Sequence, residues 1–258
     1  MLKKITQLSE RTRLIISGTV AVLVFILILA PASLVISALP GVSIGASGIS
    51  GSLWNGSAQS ISINGFSVNA TRWTIKPLAL LAGALELRLL TSWPGGEFEG
   101  DLSASITGSL QVKNASVFAS LSELSETVGM PASGQLSLEI ESLAIKDNWP
   151  TQVLGSLSLR GLTTVQPGSN APIILGDYAV VFMNKVVNDD KPITGAITDN
   201  GGPLELSGQI TLTAPNQYLL ETKIKPQANA AGNLKQALKF IAPSDNRGTH
   251  DFKLNGSF

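Results

Sequence analysis

The chain has no cysteine and a single histidine, His250, among its 258 residues. The first absence excludes disulfides, thiol nucleophiles and thiolate metal sites, so a packed core or sheet must supply the stability. The second excludes a multi-histidine metal centre. Charge is sparse: Asp, Glu, Lys and Arg make up 14% of the residues and cancel to a net charge of zero. No basic patch stands out, which argues against nucleic acid as a partner. Catalytic signatures are missing as well. There is no G-x-S-x-G elbow. Gly45, Gly48 and Gly51 lack the spacing of a dinucleotide fingerprint, and no Gly-Lys-Ser/Thr phosphate loop occurs. Asp189 and Asp190 beside Lys191 read as a solvated loop, because two adjacent carboxylates are a weak ligand set. His250 and Asp251 are neighbours and would face opposite ways on a strand. The chain reads as non-enzymatic, with no cofactor and no metal.

One further absence is local. From Leu14 to Leu39 there is no charged side chain over 26 residues. About 20 apolar residues in a helix cross the ~30 Å hydrocarbon core of a bilayer. Lys3, Lys4, Arg11 and Arg13 precede the run against Glu10 alone, and basic flanks stay in the cytoplasm. A cleaved signal is the competing reading, with Ala30-Pro31-Ala32 as its small-x-small site. Such a signal has an apolar region of only ~7–15 residues, so the length favours a retained anchor. The expected organisation is a cytoplasmic N-terminus over 1–13, a transmembrane helix over 14–36 and an exported β-rich domain over 37–258. Four of the 18 basic residues and one of the 18 acidic residues precede the exported part, so that part carries a formal charge of −3.

Beyond the anchor the hydrophobic pattern alternates. Leu204, Leu206, Gly208, Ile210 and Leu212 interleave with Glu205, Ser207, Gln209, Thr211 and Thr213, the period of a strand with one buried face. Leu136, Leu138 and Ile140 repeat the pattern, as do Leu157 with Leu159, and Phe66, Val68 and Ala70. Glu97 to Thr107 and Tyr178 to Val186 are weaker cases. The phase slips at Leu143 and Leu162, as at β-bulges. Turn signals at Asn64-Gly65, Pro94-Gly95-Gly96, Pro167 to Asn170, Asn200 to Pro203 and Pro215-Asn216 separate the strands. Three short helices are expected, over Pro77–Ala82, Ser116–Val128 and Asn233–Ile241, packed on a sheet as caps. The fold class is mainly β: one transmembrane helix, then an antiparallel β-sheet domain, a curved sheet or groove, with a few short helices. Ala132 to Gly134 is a candidate midpoint, without a clean repeat around it.

The most specific stretch follows the anchor. Gly51, Leu53, Trp54, Gly56 and Ala58 form a G-x-LW-x-G-x-A segment. Trp73 and Pro77 form a W-x-hydrophobic-x-P segment, and Gly83 and Leu85 follow. In these motifs the chain resembles the type II secretion system protein N family. The outline continues through Gly134-Gln135-Leu136, Trp149-Pro150, Gly208-Gln209-Ile210 and the closing Leu254-Asn255-Gly256. Gly176 to Asp199 finds no counterpart. The resemblance implies an accessory inner-membrane subunit of the assembly that exports folded proteins from the periplasm across the outer membrane. It implies protein contacts with other secretion subunits. Gly51, Leu53, Trp54, Gly56, Ala58, Trp73 and Pro77 are the candidate interaction residues. If extended, Leu53 and Trp54 point to opposite faces, one buried in the sheet and the other at an edge or a subunit contact; a buried Trp beside a tight turn at Gly56 is the competing reading and the commoner one. A tethered β-groove of the AsmA-like kind, binding or transferring lipid between envelope membranes, is the alternative, since a shared fold does not fix a function.

Overall fold

The computed structural model describes residues 32, 44–63, 66–128, 131–165, 171–184, 192–241 and 243–257. The expected span at 14–36 lies outside these residues except for Ala32, as do the Asn64-Gly65 turn, the Pro167–Asn170 turn and Asp189-Asp190. Among the described residues no helix is long and apolar enough to cross a membrane.

Backbone contacts divide the chain into two compact units at Ile75 and Lys76. In the first, strands β1 (Ile44–Ser47), β2 (Ser50–Gly51), β3 (Asn55–Ile63) and β4 (Phe66–Ile75) are antiparallel, with β1, β2 and β4 each paired to β3. The expected face of β4 changes partway. Val68 is half-buried, but Ala70 is exposed and Thr71 is buried. Ala70 adopts φ +47°, a turn-like conformation that shifts the apolar phase by one residue to Thr71 and Trp73.

The second unit opens with helix α1 (Pro77–Leu81) and strands β5 (Ala84–Trp93), β6 (Gly96–Ser105) and β7 (Leu110–Ser120). Helix α2 (Leu121–Val128) leads to β8 (Ala132–Lys146), β9 (Trp149–Val165), β10 (Pro172–Asn184), β11 (Ile193–Gly201), β12 (Leu204–Thr213) and β13 (Gln217–Pro226). Helix α3 (Gly232–Ile241) and strand β14 (His250–Ser257) close it. Every strand from β5 to β13 pairs antiparallel with the next in the chain, so this path has no crossover. The mainly β, antiparallel class holds. The alternating Leu204–Thr213 segment is β12 at those bounds. Register shifts fall between Ile140 and Ser142, and opposite Leu162 between Ile174 and Tyr178, close to the expected bulges.

The helices need two corrections. Residues 116–120 belong to β7, not to α2. Val117, Leu121 and Leu124 satisfy a helical spacing, but Ala115, Val117 and Ala119 also satisfy a period of two. Pairing with β6 and β8 on both sides decides for the strand. Helix α1 buries no side chain, so it does not pack as a cap; Leu78 and Leu81 are 77% and 87% exposed. Helix α3 does pack. Leu234 and Leu238, one turn apart, join Ile173, Leu204 and Ala230 in the core, with Leu175 and Ile224 against them. Burying each leucine contributes roughly 1.5–3 kcal/mol.

Register sorts the two faces of the second unit. Phe98, Val117, Leu138, Leu157, Val180, Ile197, Gly208, Thr222 and Phe252 are successive cross-strand partners from β6 to β14. The row one position along the strands, on the opposite face, reads Glu99, Ser116, Glu139, Ser156, Val181, Ala196, Gln209, Glu221 and Lys253. Two glycines of this sheet lie under aromatic rings. A Cβ at Gly195 would meet Phe182 Cε1 at 2.6 Å, and one at Gly256 would meet Tyr218 Cζ at 2.8 Å.

Candidate functional site

The motif from Gly51 to Ala58 builds a tight hairpin in the first unit. Gly51 has φ +83°, a region open to glycine at little cost. The chain then turns over Ser52 to Asn55. Ser52 N–H donates to the Asn55 carbonyl at 2.9 Å, and Asn55 N–H donates to Ser52 Oγ at 3.1 Å. Leu53 and Trp54 occupy the tip. They sit in a bend, not in an extended segment, and both are half-buried. The expectation of opposite strand faces therefore does not describe them.

Trp73, on β4, holds the hairpin. Its Nε1–H donates to the Leu53 carbonyl at 3.0 Å, and Ile75 N–H donates to the Trp54 carbonyl at 2.7 Å. The Trp73 ring lies against Gly56, its cross-strand partner. A Cβ on Gly56 would come within 2.7 Å of Trp73 Cε2 and 2.8 Å of the Ser52 carbonyl oxygen. Gly51 and Gly56 are also paired, and a Cβ on Gly51 would lie 2.9 Å from Gly56 Cα. Ala58, 3% exposed, pairs with buried Thr71. Gly51, Gly56, Ala58 and Trp73 are thus packing residues that set the hairpin, while Leu53 and Trp54 are what it displays. Pro77 belongs to the second unit, where it begins α1. Sequence reasoning missed Ser52 and Asn55. Their signal is the three-residue spacing of a hydroxyl and an amide around two bulky residues, a short-range turn pattern.

The remaining polar chemistry is dispersed. In the second unit Lys76 pairs with Glu86 at 2.8 Å, Arg88 with Glu99 at 2.5 Å, and Lys253 with Glu221 at 2.9 Å. These pairs are solvent-exposed, so each contributes little to stability. Hydrogen bonds from Lys253 and Gln209 hold the Glu221 carboxyl below its ordinary range. Tyr178 is buried and donates its hydroxyl to the Leu175 carbonyl. Burial, with Asp199 and Asp177 nearby, pushes its phenol up to about 12. His250 is a buried strand residue at the start of β14, while Asp251 beside it is exposed. Among the described residues no three His, Asp or Glu side chains are grouped to hold a metal ion.

The family model for the type II secretion system (T2SS), protein N, matches residues 42–253. A type II secretion system protein N of Aeromonas hydrophila is 24% identical over 251 residues, covering 92% of this chain and 94% of the relative. One from Vibrio cholerae is 24% identical over 242 residues, covering 88% and 90%. No solved structure matches. The match takes in β10 and β11, the stretch between Gly176 and Asp199 that the motifs left unplaced, and the chain belongs to the type II secretion system protein N family.

Proposed function

We propose that this chain is an accessory, non-enzymatic subunit of the type II secretion system, anchored in the inner membrane by residues 14–36. Its N-terminus is cytoplasmic and its β-rich part periplasmic. It helps folded proteins leave the periplasm across the outer membrane by contacting other secretion subunits. The observation that carries the reading is the family match over 42–253, which spans both compact units. The hairpin supports a contact role for its tip: Trp73, Gly51 and Gly56 fix the turn, and Trp54 stands half-buried at its end. Tryptophan anchored on a rigid turn suits a binding hot spot, where truncation costs about 2 kcal/mol or more.

The test is a deletion strain complemented with the wild-type chain or with Trp54→Ala. Deletion should leave folded cargo in the periplasm without blocking inner-membrane transport. Trp54→Ala, shown to accumulate normally and to melt like wild type, should reproduce part of the defect. Normal secretion in the deletion strain would reject the proposal. Wild-type secretion by a folded Trp54→Ala chain would reject Trp54 as the contact while leaving the subunit role standing.

A further inference from the structure

The most exposed aliphatic side chains of the second unit gather at one end of β5, β6 and β7. Leu78, Leu80 and Leu81 on α1 are 77%, 45% and 87% exposed, and Ile106 in the β6–β7 turn is 88% exposed. The two tips adjoin: Ile106 N–H donates to the Gly83 carbonyl at 3.0 Å. Leu85 and Leu110, both cross-strand partners of Ala104, lie 41% and 48% exposed beside them. At roughly 1.45 Å² per dalton of extended chain, these six residues show on the order of 600 Å². That is the top of the range for the largest apolar patch on a monomer.

This end is also free of charge. No charged residue occurs from Pro77 to Leu85 or from Leu102 to Val112. The charges that bound both stretches, Lys76, Glu86, Asp101 and Lys113, line one shallow depression on β5, β6 and β7. An uncharged tip thus meets a charged belt. The polar groups of the tips are largely engaged within them. Ser105 Oγ bonds Thr107 Oγ1 at 2.6 Å and Ser109 Oγ at 2.7 Å, and Gly108 N–H donates to the Ser105 carbonyl. Ala82 and Gly83 N–H donate to the Ala79 and Leu80 carbonyls. Internal satisfaction of this kind is what hydrocarbon demands of a backbone. Side chains nearly nine-tenths exposed stand clear of their neighbours, and a fluid bilayer closes around such projections without matching pockets.

The chain also brings a bilayer within reach. The apolar run ends at Leu39, and Pro40 to Ser43, before β1, reach at most roughly 14 Å. We propose that Leu78, Leu81 and Ile106 seat in the outer leaflet of the bilayer that holds this run, as a second membrane contact. The proposal rests on the anchor proposed above. Ile44 pairs with Ile63, beside the start of β4, whereas α1 follows Ile75 at the other end. The two attachments are therefore roughly 30 Å apart along β4, and the strands of the first unit lie along the membrane surface.

The test exploits the absence of cysteine. Leu81→Cys, Ile106→Cys or Asn200→Cys in the purified full-length chain carries an environment-sensitive fluorophore. Asn200 is exposed at the end of β11, at the opposite end of the strand path from Ile106. Each chain is reconstituted into vesicles of phosphatidylethanolamine and phosphatidylglycerol, floated, and melted to check folding. The expected result is blue-shifted emission at Leu81 and Ile106, quenched by phospholipid bearing a nitroxide on its acyl chain, with Asn200 unshifted and unquenched. A blue shift that the nitroxide lipid does not quench would mean that a second copy or another segment of the chain covers the tips, and would overturn the proposal. Equal quenching at Asn200 would do the same. Chains that float with both tip labels in water would overturn it and leave the anchor standing, whereas chains that do not float would overturn both.

Discussion

Replacing Gly56 with alanine adds one methyl group at the point where the hairpin is tightest. The new Cβ would lie 2.7 Å from Trp73 Cε2 and 2.8 Å from the Ser52 carbonyl. Neither neighbour can retreat cheaply. The Trp73 ring is buried and tied through Nε1 to Leu53, and the Ser52 carbonyl is backbone inside the turn. Overpacking of this kind costs about 1–3 kcal/mol. If the ring shifts, the indole hydrogen bond is lost at a further ~0.5–1.5 kcal/mol. For a chain of this size each kcal/mol moves the melting temperature by about 2–4 °C, so a drop of roughly 3–18 °C follows from the two costs combined. Circular dichroism melts of the purified full-length chain measure it. Gly232→Ala is the control: nothing lies within 4 Å of its Cβ position. Trp73→Ala supplies the decisive background, because removing the ring should make Gly56→Ala cheaper. The reasoning fails if Gly56→Ala melts like wild type, or if it costs the same with and without the ring.

Leu204→Asp places a carboxylate under α3 and should destabilise by several kcal/mol, Leu138→Asp at a half-buried position of β8 should cost less, and Glu205→Ser should stay within about 0.5 kcal/mol; equal melting temperatures for the three would show the faces to be wrongly assigned. Tyr178 keeps its proton longer when folded, with a phenol at about 12 against an ordinary ~10. Its contribution, on the order of 2 kcal/mol, is therefore whole below about pH 10 and is lost between about pH 10 and 12. Spectrophotometric titration should show a late tyrosinate step that Tyr178→Phe removes, and a titration unchanged by the substitution would refute it. Alkaline phosphatase fused after Phe258 should be active and the chain should resist carbonate extraction; a mature N-terminus near Ala32 or Leu39 would refute the retained anchor.

Strands were legible where the two faces differ in polarity. Glu205 to Thr213 alternates cleanly because its outer positions are Glu, Ser, Gln and Thr. The pattern failed where both faces are apolar. In β10, Ala179, Val181 and Met183 stand on the outer row between Tyr178, Val180 and Phe182, so no period emerges. It also failed where two periods fit the same residues, as in β7, and where one residue breaks phase, as at Ala70. Both are settled by pairing with the neighbouring strands, which local periodicity does not contain. The hairpin motif was visible as spacing. Which of its two tryptophans is buried was not, because that depends on Gly56 facing Trp73 across the ladder. The lateral continuity of the apolar rows was equally hidden, since it exists only once register is known.

Every strand from β6 to β14 takes the preceding strand as its partner. Assembly of this unit can therefore keep pace with synthesis. Each strand, as it emerges, finds its neighbour already in place, and no pairing waits for a distant part of the chain. Loop closure at each step spans a hairpin or one short helix, which keeps the entropic barrier low. The cost falls on the growing end. At every stage one unpaired strand exposes its backbone donors and acceptors, a template for association with another chain. Interrupted synthesis would leave a shortened sheet with an open edge, so partial products of this chain should aggregate edge to edge sooner than the finished one.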